Sequence, residues 1–203
     1  MKQINKLFVL ISMLSSLAFI SCENLDQDPA NQLSINKAFR NIDDAEAWVN
    51  QYYANLRSSF GNIEIYGELQ ADVFNASTIY GNQYGTLHSW QIQTSDAYVE
   101  SIWKNLYSLL ADINLCIEKF PTVPVSSARE QQLIQQYLGE SYMLRAYYYL
   151  KLVEHFSPKY TEANKNEADL GVPLVLTYNV TNKPARATLE ATFDQIYTDI
   201  ERA

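Results

Sequence analysis

The stretch SAREQQLIQQYLGESYMLRAYYYLKLVEHF, residues 127–156, decides the fold class. Ser127 followed three positions later by Glu130 is a capping box, the sequence signature of a helix start. The run then continues without a breaker to about Phe156, where Ser157-Pro158 ends it, because proline cannot extend a helix. Neighbouring helical residues point about 100° apart, so Tyr147, Tyr148 and Tyr149 cannot share one face. At least one ring is expected in the core and another at a helix contact or the surface. Arg145, set among these aromatics, reads as a structural partner for a carboxylate or a carbonyl.

Working outward, three more segments carry helical periodicity. Asp43 with Glu46 opens a first helix over about 43–59, with Ala45, Trp48, Val49, Tyr52 and Leu56 on one stripe. A second runs from about Asp96 to Lys119 through Val99, Ile102, Trp103, Leu106, Leu110, Ile113 and Ile117, and Pro121 stops it. Trp48 and Trp103 lie on these stripes and are expected in the core. A fourth helix follows Thr188 with Leu189, Phe193, Ile196 and Ile200; its stripe runs to Ala203 without a cap, so the chain reads as cut rather than finished. The fold class is therefore mainly all-α, with helices paired as antiparallel hairpins, long irregular loops between them and an incomplete C-terminus. Leu138-Gly139-x-x-Tyr142 also matches a fragment of the tetratricopeptide repeat, in which a small glycine lets a neighbouring helix approach closely.

At 203 residues the chain holds one ordinary domain or part of a larger protein. A net charge of −8 argues against a nucleic-acid binder and against a polybasic membrane patch. Two cysteines exclude a disulfide scaffold and two histidines exclude a histidine-rich metal site. Neither a metal nor a cofactor is expected.

Residues 1–21 read as a lipoprotein signal peptide. Lys2 and Lys6 precede an uncharged run from Leu7 to Ile20, too short for a span of about 20 apolar residues. The run ends Phe19-Ile20-Ser21-Cys22, which resembles a lipobox. Cys22 is thus the expected acylated N-terminus and would tether the protein to a membrane surface without spanning it. Ordinary signal cleavage, with Cys22 incidental, is the alternative. The mature chain carries a net charge of −10. Residues 22–42 read as a tether and entry segment, and 43–203 as a helical domain.

Gly139 to Phe156 closely resembles the GEARFLRAYYYFDLVRLFG segment of the SusD/RagB family of outer-membrane nutrient-uptake lipoproteins. Cys22-x-x-Leu25-Asp26-x-x-Pro29 is similar to the family's mature start. Trp103-x-x-x-Tyr107 with Ile113-Asn114, then Gly171-Val172-Pro173-Leu174 and Arg186-x-Thr188-Leu189, match further family pieces in order. Ser157-Pro158, Ala191 and Ile200 depart from the usual pattern, and the resemblance covers only the N-terminal part of family members. It implies a tetratricopeptide-like body at the cell outer membrane, exposed at the surface. That body would pack against a SusC-like TonB-dependent barrel transporter and act as a lid that captures oligosaccharides or, in some members, peptides. It also implies no catalysis.

Residues 60–94 read as a long irregular segment, holding four of the six glycines among Tyr66, Phe74, Tyr80, Tyr84, His88 and Trp90. Loops of this length are usually functional. Aromatic faces can cover the C–H face of a sugar while amides and carboxylates bond its rim. The candidate ligand residues are Trp90, Tyr80, Tyr84, Asp72 and Asn82, with Asn75, Gln83 and Gln91 among the rings. The competing reading is that these aromatics merely pin the loop to the body. Enzyme readings find no support: Glu64 and Glu68 read as a solvated face, His88 and His155 lack triad or metal partners, and no nucleotide or hydrolase motif is present. Two other functions stay open, a tetratricopeptide-type protein-interaction module and a truncated, inactive remnant.

Overall fold

Ser127 opens the longest-buried helix as its sequence directs, with its hydroxyl accepting the Glu130 N–H at 3.2 Å. The reciprocal arm is displaced by one residue: the Glu130 carboxylate takes the backbone N–H of Ser126 at 2.6 Å and its hydroxyl at 2.9 Å. The computed structural model describes residues 35–76, 81, 84–179 and 181–203. In chain order the helices are α1 (Ile42–Gln70), α2 (Gly85–His88), α3 (Ala97–Lys119), α4 (Ala128–Phe156) and α5 (Leu189–Arg202), with 3-10 turns at Ile35–Lys37 and Phe120–Thr122. The chain divides at Ala38/Phe39, and all that follows concerns the second unit, Phe39–Ala203. Cys22 and the leader lie outside the described residues.

Contacting pairs give the topology. Trp103 meets Phe156 and Asn114 meets Arg145, so α3 and α4 run antiparallel. Arg145 meets Asp199 and Gly139 lies against Ala203, so α4 and α5 are antiparallel too. Tyr52 bonds Glu140 and Glu64 bonds Lys151, which makes α1 parallel to α4. The outcome is stacked helical hairpins, the architecture expected from the sequence. Among the described residues no strand forms; Pro173 and Arg186 make one isolated antiparallel bridge.

Four expectations are corrected. The first helix does not end near residue 59 but continues to Gln70, so the irregular segment begins at Ala71. Gly61 and Gly67 suggested a loop because each costs a helix about 1 kcal/mol relative to alanine. Buried Ile63, Tyr66 and Leu69 outweigh them, at about 1.5–3 kcal/mol for each large apolar side chain. The cap of α1 is Asn41, whose Oδ1 takes the Asp44 N–H at 2.9 Å, rather than Asp43. Glu64 is not on a solvated face: it accepts from Lys151 at 2.9 Å and Tyr147 at 3.1 Å across the α1–α4 contact. Trp48 and Trp103 reach only half-burial. Trp48 stacks on Phe39 with centroids 5.2 Å apart, and Trp103 lies 5.4 Å beneath the Arg186 guanidinium.

The tyrosine run divides as the helical period requires: Tyr148 and Tyr149 are fully buried and Tyr147 is half-buried at the α1 contact. Arg145 has both expected kinds of partner. Its Nε and Nη2 donate to the two oxygens of Asp199 at 2.8 and 2.7 Å, and its Nη1 donates to Asn114 Oδ1 at 3.0 Å and the Leu176 carbonyl at 3.2 Å. Asn114 and Tyr149 each donate to the Val175 carbonyl, at 2.7 and 2.8 Å. Tyr107 donates to the Pro173 carbonyl at 2.9 Å. The irregular stretch 171–176 is thereby stitched to α3, α4 and, through Asp199, to α5. Buried carbonyls outside regular structure need such donors. Gly171 is required there, since a Cβ would lie 2.3 Å from the Thr188 carbonyl oxygen.

Candidate functional site

The loop that leaves α1 is shaped by two helix ends of one kind. At the end of α1, Asp72 N–H bonds the Leu69 carbonyl at 3.4 Å and Val73 N–H bonds that of Glu68 at 3.0 Å. At the end of α2, Trp90 N–H bonds the Leu87 carbonyl at 3.2 Å and Gln91 N–H bonds that of Thr86 at 2.8 Å. Both are Schellman motifs, which place the residue after the C-cap in the left-handed region and favour glycine there. This chain has Asp72 at φ 60° and Trp90 at φ 58° in those places. A bulky side chain in that region costs about 1–3 kcal/mol and tends to mark functional sites. Tyr84, the residue before α2, is left-handed as well, at φ 64°.

This backbone turns a patch of apolar side chains outward. Trp90 is 68 % exposed, Val73 61 % and Phe74 52 %. Leu87, fully buried, anchors α2 to the body. The two helix ends are brought together by Asp72, whose Oδ1 lies 3.0 Å from His88 Nε2, an ion-pair distance without hydrogen-bond alignment. Asp72 and Trp90 therefore belong to adjoining segments.

Tyr84 has a different place. Its ring packs 4.7 Å from that of Tyr98, and Tyr98 donates its hydroxyl to the Asn62 carbonyl at 3.0 Å. Burial, reinforced by Tyr84, pushes the Tyr98 phenol up to about 12. Tyr84 thus pins the loop to α3. Tyr80, Asn82 and Gln83 lie outside the described residues, and Asn75 and Gln91 are exposed on the same loop. Sequence reading passed over Val73 and Phe74 as members of the patch. The signal that finds them is the missing glycine after each helix end. Among the described residues no cluster of His, Cys, Asp and Glu is arranged to hold a metal ion, and no helix is long and apolar enough to cross a membrane.

Relatives share this framework. A SusD-like protein of Formosa agariphila is 27 % identical over 210 residues, covering all of this chain and 38 % of its own length. The chain thus spans about two fifths of that relative. A putative sugar-binding protein of Bacteroides vulgatus superposes with a TM-score of 0.63 at 20 % identity, over 81 % of this chain and 37 % of that one. A laminarin-binding SusD-like protein gives 0.59 at 20 %, over 81 % and 34 %, and a SusD-like protein of Bacteroides fragilis gives 0.58 at 16 %, over 87 % and 32 %. At these identities the structures speak for the fold. The SusD-like family described as starch-binding and associating with the outer membrane matches residues 23–203, and with the hairpin fold and the ordered motifs in place, the chain belongs to that family.

Proposed function

We propose that the protein captures a neutral oligosaccharide on the outer surface of the cell and delivers it to a SusC-like TonB-dependent barrel transporter, held to the outer membrane by acylation of Cys22. The observation that carries the capture step is Trp90: a large ring, two-thirds exposed, occupies a left-handed backbone position in which glycine is unstrained. Strain spent on an exposed aromatic is expected of a binding residue and not of a core residue. Phe74 and Val73 extend the apolar surface, while Asn75 and Gln91 offer amides for hydroxyl groups. The names of two structural neighbours, one laminarin-binding and one a putative sugar-binding protein, agree with such a ligand. Capture and transfer need no covalent step, and the protein acts without catalysis.

In an affinity gel containing laminarin or starch, Trp90→Ala is expected to lose retardation while still unfolding in a single cooperative transition. Undiminished retardation refutes the loop as the binding surface. Cys22→Ala is expected to release the protein from membranes, and continued co-sedimentation with them would refute lipid anchoring.

A tetratricopeptide-type interaction module is the second reading, favoured by Tyr53 and Phe60, two exposed aromatics one heptad apart on α1. Recovery of a TonB-dependent barrel with the native protein supports delivery. Recovery of a soluble protein partner, with no glycan retardation, supports the module.

A further inference from the structure

The exposed apolar patch is built from two separate segments: Val73 and Phe74 follow α1, and Trp90 follows α2. They work as one surface only if α2 is held in place, and a helix of a single turn is not stable by itself. Ties on two sides hold it. Towards α3, Tyr84 packs on Tyr98 and Thr86 Oγ1 donates to Asp96 Oδ2 at 3.4 Å. Towards α1, against which α2 also lies, the polar tie is the 3.0 Å approach of Asp72 Oδ1 to His88 Nε2. The His88 side chain is 27 % exposed, and its Nε2 is buried without an aligned hydrogen bond. A ring nitrogen shut off from water needs a polar neighbour, and Asp72 is the charged group it meets. This tie sits at the base of both segments, next to Val73 on one side and two residues before Trp90 on the other.

We infer that Asp72 is a positioning residue of the capture surface: its carboxylate holds His88 and thereby sets Trp90 relative to Phe74. The inference rests on the capture reading given above and assigns Asp72 an action through Trp90. The backbone agrees with it. Asp72 is left-handed, at φ 60°, where glycine would relax the chain but supply no carboxylate. Aspartate is among the few side chains tolerated there. Strain is thus carried twice in this loop, once for the exposed ring and once for the group that steers it.

The test reads the loop first without glycan and then with it. In the ¹⁵N-labelled full chain, Asp72→Gly is expected to shift the Trp90 indole signal, which is assigned by its absence in Trp90→Ala. Because glycine also relieves the left-handed strain, the urea midpoint of Asp72→Gly is expected to be no lower than that of the wild type. In a laminarin or starch gel the same variant is expected to weaken apparent affinity by roughly two- to fivefold, the worth of an exposed ion pair. Asp72→Asn keeps the reach, the tolerance of the left-handed region and one acceptor oxygen, and is expected to recover part of both effects. In a His88→Leu background, Asp72→Gly is expected to change neither the indole signal nor the affinity further. An unmoved indole in Asp72→Gly overturns the inference, as does undiminished retardation of Asp72→Gly where Trp90→Ala has lost it. An affinity loss that persists in full in the His88→Leu background also overturns it, by making Asp72 a direct ligand contact. The indole is read without glycan, so undiminished retardation of Trp90→Ala refutes the capture reading alone.

Discussion

Replacing Trp90 by glycine and by alanine separates a binding residue from a packing residue. Both variants remove the ring, so the lost burial is common to them. About one third of Trp90 is buried; for a side chain of about 250 Å², at about 25 cal/mol per Å², that is about 2 kcal/mol. Glycine relieves the left-handed strain of about 1–2 kcal/mol, and alanine keeps most of it. Trp90→Gly should therefore lie within about 1 kcal/mol of the wild type and should exceed Trp90→Ala by about 1 kcal/mol. A core tryptophan would cost about 3–5 kcal/mol on truncation. Urea unfolding followed by far-ultraviolet circular dichroism measures both differences, and retardation in a laminarin or starch gel should fall equally in the two variants. An alanine variant as stable as the glycine variant would refute the strain, and a loss above about 3 kcal/mol in both would make Trp90 a structural pin.

Asp199→Ala strands the Arg145 guanidinium in the core and should cost about 3–5 kcal/mol, lowering the melting temperature by about 2–4 °C per kcal/mol; the double variant Arg145→Met/Asp199→Leu should recover most of it by the same measurement. Gly171→Ala places a Cβ 2.3 Å from both the Thr188 carbonyl oxygen and Thr192 Oγ1, and should lower stability by about 1–3 kcal/mol in urea titration. His155 is half-buried against Tyr66 and Phe156, and the loss of solvent there, outweighing the pull of Glu154 and Glu64, holds its imidazole below the usual histidine value. The unfolded chain therefore takes the proton first, at about pH 6.5. Stability from this group is complete above that pH and declines below it down to the folded-state value. His155→Phe should flatten that decline in urea midpoints compared between neutral and mildly acid pH.

Much of the helical body was legible residue by residue. Ser127 and Thr188 cap where their hydroxyls say they should, Pro121 and Pro158 follow the ends of α3 and α4, and the tyrosine run divides by the helical period. Arg145 was legible as a partner-seeking cation, though neither Asp199 nor Asn114 could be named, because both are brought to it from far along the chain. The end of α1 was misread because glycine weighs against a helix locally, whereas burial of Ile63, Tyr66 and Leu69 is settled by what α1 packs against.

The candidate site was less legible for the same reason. Composition pointed to the loop and to Trp90, yet it could not distinguish Tyr84, packed on Tyr98, from Trp90, turned to solvent. Sequence alone determined the elements and their apolar stripes, since capping and helical period act within a few residues. Tertiary structure alone decided which polar groups meet across α3, α4 and α5 and where Asp72 adjoins His88. Those outcomes depend on the register in which distant helices pack, and register is set by the fit of whole surfaces rather than by neighbours in the chain.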